Sequence, residues 1–250
     1  MRYIFGLYWR LIGVQIRSQV QYRFNLFTDV LATALVTITV FISLAFIFER
    51  FGTIAGWNLS EVAFLYGMVE TAFGVMDMLF SGFDPQNFGR QVRLGRLDQL
   101  LLRPVNITLQ VLGSEFIIRR VGRIFQGIII LTFSVHSLQI DWSIMKMSYL
   151  PIVFASLVAF FGGLFIIGAT ITFWTLESIE VINILTYGGA EMMSYPMSIY
   201  PLGMRRFFTY VIPAIFLMYY PAIYFLDKGD PLGLPFNANF FAPIAGFGVF

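Results

Sequence analysis

The chain has 250 residues, of which 58% are apolar and 12% charged, and its mean hydropathy is +0.78. Soluble domains carry roughly 25% charged residues, and half that leaves too few to cover a water-facing surface. The absence of cysteine removes disulfides and thiolate chemistry, and the single histidine, His136, removes any multi-histidine metal centre. A net charge of +2 says little; where the charges sit says more.

Several uncharged runs approach the 20 or so residues that cross roughly 30 Å of hydrocarbon, so the sequence predicts an all-α integral membrane protein. Arginines at 10, 17 and 23 interrupt the apolar core that a cleavable signal would need, and no lipidation motif is present. Residues 1–26 read as an interfacial helix ahead of a membrane domain at 27–250. Gly6, Arg10, Gly13, Arg17 and Gln21 share one face, and Ile4, Tyr8, Leu11, Ile12 and Tyr22 the other, with Gln15 the exception. A helical extension of the first span is the alternative.

The spans expected in chain order are 27–48, 62–83, 124–140, 149–174 and 207–226. A basic polar loop occupies 84–123, and a short connection closed by Lys146 precedes the fourth span. Gly162, Gly163 and Gly168 in that span read as close-packing positions. The segment 177–206 is apolar but interrupted by Glu191, Pro196 and Pro201; the charge balance assigns it to the interface or to partial burial. Pro213 kinks the fifth span, whose Tyr219, Tyr220 and Tyr224 read as an aromatic belt. Pro231, Gly233 and Pro235 predict a non-helical stretch, after which a sixth apolar segment begins near Phe240 and is cut short at Phe250.

With the N-terminus inside, 13 of the 16 basic residues fall inside, and only Arg50, Lys146 and Lys228 fall outside. That split sets a cytosolic N-terminus.

Two constellations stand out. In the second span Gly67, Glu70, Gly74, Asp77 and Ser81 lie within about 80° on a helical wheel. Glu70 and Asp77 need partners away from lipid; they could line a translocation path or sit on a helix-packing seam. In the polar loop four arginines fall within 90–103, with Leu97, Leu100, Leu101, Leu102 and Asp98 among them. Anionic lipid is one target for such a patch, and a soluble protein partner is another, favoured by the leucines and by Asp98. No nucleotide-binding loop, metal-ligand spacing or hydrolase signature is present, and nothing suggests nucleic acid. Energy for uphill work would come from a partner or an ion gradient, so the alternatives are an ion-coupled secondary transporter or channel using Glu70 and Asp77, or a membrane scaffold for a cytosolic partner.

The stretch Gly95-Arg96-Leu97-Asp98-Gln99-Leu100-Leu101-Leu102-Arg103-Pro104 resembles the Gly-x-Leu-Asp-x-x-Leu-Leu-Arg-Pro motif of type-2 ATP-binding-cassette (ABC) exporter permeases. Tyr195-Pro196, Ile199-Tyr200-Pro201, Arg205, Val211-Ile212-Pro213-Ala214 and Tyr220-Pro221-Ala222 follow in the order such permeases show, and Trp57 and Glu61 also fit. The resemblance implies a six-span exporter domain with an N-terminal interfacial helix in the bacterial inner membrane. It implies a coupling helix in the 84–123 loop, where Gly95, Arg96, Leu97, Asp98, Arg103 and Pro104 would meet a separate cytosolic ATPase. ATP and magnesium would belong to that ATPase, with no cofactor in this chain, and a second permease copy or a related permease would complete the assembly within the membrane lipids.

Overall fold

A computed structural model describes residues 2–175, 180–229 and 239–250, with side chains from Gly6 onward. Helices α1 (Arg2–Gln21) and α2 (Arg23–Phe51) meet at a break on Tyr22, whose ψ of 61° leaves the helical range. The remaining long helices are α3 (Leu59–Phe80), α7 (Val121–Leu138) and α8 (Ile144–Thr175). Between α3 and α7 the chain folds into α4 (Pro85–Arg93), α5 (Arg96–Leu101) and α6 (Ile107–Ser114). After α8 come α9 (Glu180–Asn183), a π turn at 184–188 and α10 (Gly189–Met193). Then follow α11 (Leu202–Tyr210), α12 (Ala214–Leu217), α13 (Tyr219–Phe225) and α14 (Ala242–Val249).

Helix α3 is the axis of the bundle: Val62, Phe64, Leu65, Val69, Phe73 and Met76 are all fully enclosed. Its start is fixed by a capping box, in which Asn58 accepts from the Glu61 amide at 2.9 Å and Glu61 accepts from the Asn58 amide at 2.8 Å. Antiparallel α7 packs along it almost without side-chain clearance. A Cβ on Gly67 would lie 2.7 Å from the Leu131 nitrogen, one on Gly127 2.8 Å from the Thr71 nitrogen, and one on Gly74 2.8 Å from Ile124. These three meetings follow a single i, i+4, i+7 stripe of α3, so the two backbones touch over two helical turns. On the other side α14 lies against α8 in the same manner, with Gly246 over the Ser156 carbonyl and Gly163 over the Val249 carbonyl. Close packing is therefore the role of the fourth-span glycines: Gly162 faces the Phe80 ring and Gly168 faces Ile182 and Pro85.

Helix α2 contrasts with this core. It is 29 residues long, about 44 Å, and apolar nearly all round, yet only Leu44 and Phe48 on it are buried. A helix of that kind is satisfied by hydrocarbon.

Four helices, α2, α3, α7 and α8, have the length and hydropathy of membrane spans, and α11 with α12–α13, bent by 76° around Val211–Pro213, makes a fifth if counted as one. Six spans are not reached among the described residues, because α14 has eight residues, about 12 Å of rise. The segment 180–193 forms short helical pieces with a mixture of buried and exposed residues. Pro231–Pro235 lies outside the described residues.

Three expectations change. The polar loop 84–123 is helical for much of its length, and Arg123 and Arg120 belong to the bundle instead of to a solvated loop. Lys146 is no connection residue: it lies in the first turn of α8, buried, bonded to Asp227 at 2.5 Å and to the Phe225 carbonyl at 3.1 Å. Tyr219 and Tyr220 are core residues and not a lipid-facing belt, because α13 turns inward after the bend; the Tyr219 ring lies tilted against Trp57 with centroids 5.9 Å apart. The lysine end of the bundle is closed by Lys228, which reaches Glu61 at 2.6 Å and the Gly56 carbonyl at 2.8 Å across the face of Trp57.

Replacing Gly127 by valine drives two methyl groups into the α3 backbone, where neither helix can yield. The expected cost is about 1–3 kcal/mol or more, seen as a lowered unfolding temperature in detergent. Gly203→Ala, with open space around the new methyl, leaves that temperature within a degree or two or raises it.

Candidate functional site

The glycine seam carries two ion pairs. Arg123 grips Glu70 with two nitrogens, Nε at 2.5 Å and Nη2 at 2.7 Å, while its guanidinium covers the Phe73 ring at 4.6 Å. Arg120 Nε meets Asp77 Oδ2 at 2.7 Å, a charge contact whose angles fall outside good hydrogen-bond alignment. Glu70 and Asp77 are 2% and 1% exposed, and a charge so enclosed is costly unless it is paired. Both carboxylates thus lie on the α3–α7 seam, enclosed by it and neutralised across it. Removing one member is costly because it strands the other. Glu70→Ala should lower stability by about 3–5 kcal/mol, whereas Glu70→Leu combined with Arg123→Met should recover most of that loss in the same thermal unfolding assay.

At the arginine-rich end of the seam the chain builds an elbow. Asp84 caps α4 by accepting from the amides of Gln86 at 3.0 Å and Asn87 at 3.1 Å. Helix α4 ends at Arg93, and Gly95, whose φ of +67° is open to glycine at little cost, leads into α5. Asp98 lies in the first turn of α5, where a carboxylate is favoured by the exposed amides. After α5, Gln110 of α6 donates to the carbonyls of Leu100 at 3.1 Å and Val105 at 2.9 Å and so holds the Arg103–Pro104 turn.

The elbow sorts the expected residues into two groups. Arg96, Asp98, Arg103 and Pro104 are exposed, and Leu101 and Leu102 are 62% and 86% exposed. Leu97 points the other way, buried in the main core, and Gly95 is the pivot. Leu94, 59% exposed, joins the outward face. A knob of guanidinium groups, one carboxylate and bare leucines projects from the arginine end.

The elbow is fastened to the bundle at three points. A Cβ on Gly89 of α4 would lie 2.6 Å from the Thr172 methyl of α8, and Pro85 abuts Gly168 of the same helix. Tyr187, in the π turn, donates to Asp84 Oδ2 at 3.2 Å and packs its ring on Phe73 and Phe165. Gly82, just past α3, meets the Val111 carbonyl of α6. Helix α1 is tied to the same region, since Gln15 Nε2 donates to the Ser114 carbonyl at 2.5 Å, Gln19 to that of Phe116, and Leu11 packs on Gly113. Gln15, the polar exception on the apolar face of α1, is thus the residue that anchors that face. Glu115 is half-buried beside it; burial pushes its carboxyl up, and the Arg90 guanidinium 4.0 Å away acts in the opposite sense.

Sequence reasoning did not single out Gln110, Tyr187 or the two arginine partners. A lone amide in the apolar run Ile107–Gly113 marks Gln110 in retrospect. The arginines are spaced three apart and the carboxylates seven, so no shared period links them; only the antiparallel packing does.

No curated protein and no solved structure matches the chain. The family model for ABC-2 family transporter proteins matches residues 34–249, which include the seam, the elbow and every helix after them. The chain therefore belongs to the ABC-2 transporter family and is a permease-type membrane protein of that family.

Proposed function

We propose that this chain is the membrane-spanning permease subunit of an ATP-driven exporter in a bacterial plasma membrane, with α1 and the elbow on the cytosolic side. Residues Gly95, Arg96, Leu97, Asp98, Arg103 and Pro104 form its coupling element for a separate ABC ATPase, which brings the ATP and magnesium. Two permeases, identical or related, and two ATPases make the working unit.

The observation that carries this reading is the knob at α5: exposed cations and leucines on a short helix that the rest of the elbow holds rigidly. Exposed apolar side chains ringed by charge suit a protein partner better than lipid headgroups alone. Within the element the roles divide. Arg96, Asp98 and Arg103 meet the partner, Pro104 and the αL glycine set the angle of α5, and Leu97 seats the helix on the bundle. Displacement of α5 would pass through α4 to α8 without slack, because Gly89 and Gly168 leave no compressible gap. It would pass through Asp84 and Tyr187 to the π turn, an irregular element able to change register. The seam would keep α3 and α7 moving as one body. Because Glu70 and Asp77 each face an arginine, they serve the permease as structural charges, and a proton gradient alone would not drive transport.

Charge reversal at two positions, Arg96→Glu with Asp98→Lys, should abolish co-purification with the partner ATPase and the permease-dependent stimulation of its ATPase activity; retention of both would sink the assignment. Tyr187→Phe should leave association intact but reduce stimulated turnover several-fold, since it cuts one of the links above the docking surface and leaves the surface itself untouched.

A further inference from the structure

A second feature lies away from the elbow, between α2 and α7. The two helices touch where Gly122 meets the Val30 carbonyl, and around and beyond that point they leave an apolar groove of about 660 Å³. Its wall on α2 runs from Phe27 to Ile42, a rise of about 22 Å, more than one leaflet of a roughly 30 Å hydrocarbon core. Nearly all of its lining is aliphatic or aromatic. The exception is Gln126, 7% exposed, which receives the Thr37 hydroxyl on one side of its amide and has no partner for the other.

Beside its arginine-rich end lies a polar vestibule of about 500 Å³ between α1, α2 and the 114–119 segment. Groove and vestibule share one turn of α2: Leu26 and Asp29 line the vestibule, and Phe27 and Val30 line the groove. The vestibule holds two half-buried carboxylates and one cation. Among the described residues neither Asp29 nor the exposed Arg119 makes an ion pair, and Glu115 meets Arg90 at 4.0 Å.

We propose that these two neighbouring cavities together bind one phospholipid with a primary-ammonium headgroup from the leaflet on the arginine-rich side. An acyl chain fills the groove. The ammonium lies between Asp29 and Glu115, where it can donate to both carboxylates, and the phosphate lies on Arg119. A spanning helix from a second copy would fill the groove but leave the vestibule's carboxylates unanswered. A purely anionic lipid would satisfy Arg119 but leave Asp29 without a cation. A quaternary ammonium would fit by charge but has no hydrogen to donate.

Native mass spectrometry of the purified full chain tests this, with phosphatidylethanolamine, phosphatidylglycerol and phosphatidylcholine supplied in turn. One phosphatidylethanolamine per chain should be retained, about tenfold better than either competitor, and its addition should raise the unfolding temperature. Asp29→Asn should remove the preference, and Ala34→Trp, which fills the groove, should remove retention. Both variants should keep the unfolding temperature of the lipid-free protein, which separates lost binding from lost folding. Equal retention of all three lipids, or unchanged retention in both variants, would overturn the proposal. So would a dimer that Ala34→Trp dissociates with no change in bound lipid, since the occupant would then be a second copy.

Discussion

Everything in this bundle depends on bringing two backbones together in a place where water cannot help. Helices α3 and α7 meet through Gly67, Gly74 and Gly127 with no room for a side chain at any of them. In hydrocarbon the hydrophobic effect does not press helices together, so dispersion contacts and polar pairs must do it. The glycines supply the contacts. The Glu70–Arg123 and Asp77–Arg120 pairs make separation costly, because pulling the helices apart would leave four charges without partners in a low-dielectric interior.

The seam has a consequence for how motion can travel. Because α3 and α7 cannot slide by less than a turn without breaking an ion pair, they behave as one rigid unit. The elbow hangs from that unit through 3-10 turns at 81–83 and 118–120, and is braced on α8 by Gly89 and on the π turn by Tyr187. Regular packing lapses elsewhere, at the Tyr22 break and at the 76° bend before α12, while α2 buries only Leu44 and Phe48. Helix α2 closes on α7 at Gly122 and at the Thr37–Gln126 bond, and the apolar groove lies along these contacts.

Much of this was legible in the residues. The membrane class follows from hydropathy, and the α3 stripe of small and acidic residues appears on a helical wheel. The Gly95–Pro104 element is marked by its own punctuation, an αL glycine before six helical residues and a proline after. These are local properties, carried by neighbours in the chain. What stayed hidden was pairing. Arg120 and Arg123 read as loop cations because nothing in a linear polar run shows that it is folding back into the bundle. Leu97 looked equivalent to Leu101 and Leu102, yet helix phase turns it inward while they face out. Gln15 spoiled the amphipathic pattern of α1 only until its acceptor, 99 residues away, was in view.

The sequence by itself determined that this chain lives in a membrane, where its long helices begin and end to within a few residues, and which short segment projects as a basic knob. Those outcomes rest on period, propensity and charge, and all three are summed over nearby residues. Only the tertiary structure decided which buried charge meets which, that the lysines close one end of the bundle while the arginines build the other, and that a polar vestibule lies beside an apolar groove. Each of those depends on residues tens of positions apart meeting within 3 or 4 Å, a distance that packing sets and that no local pattern encodes.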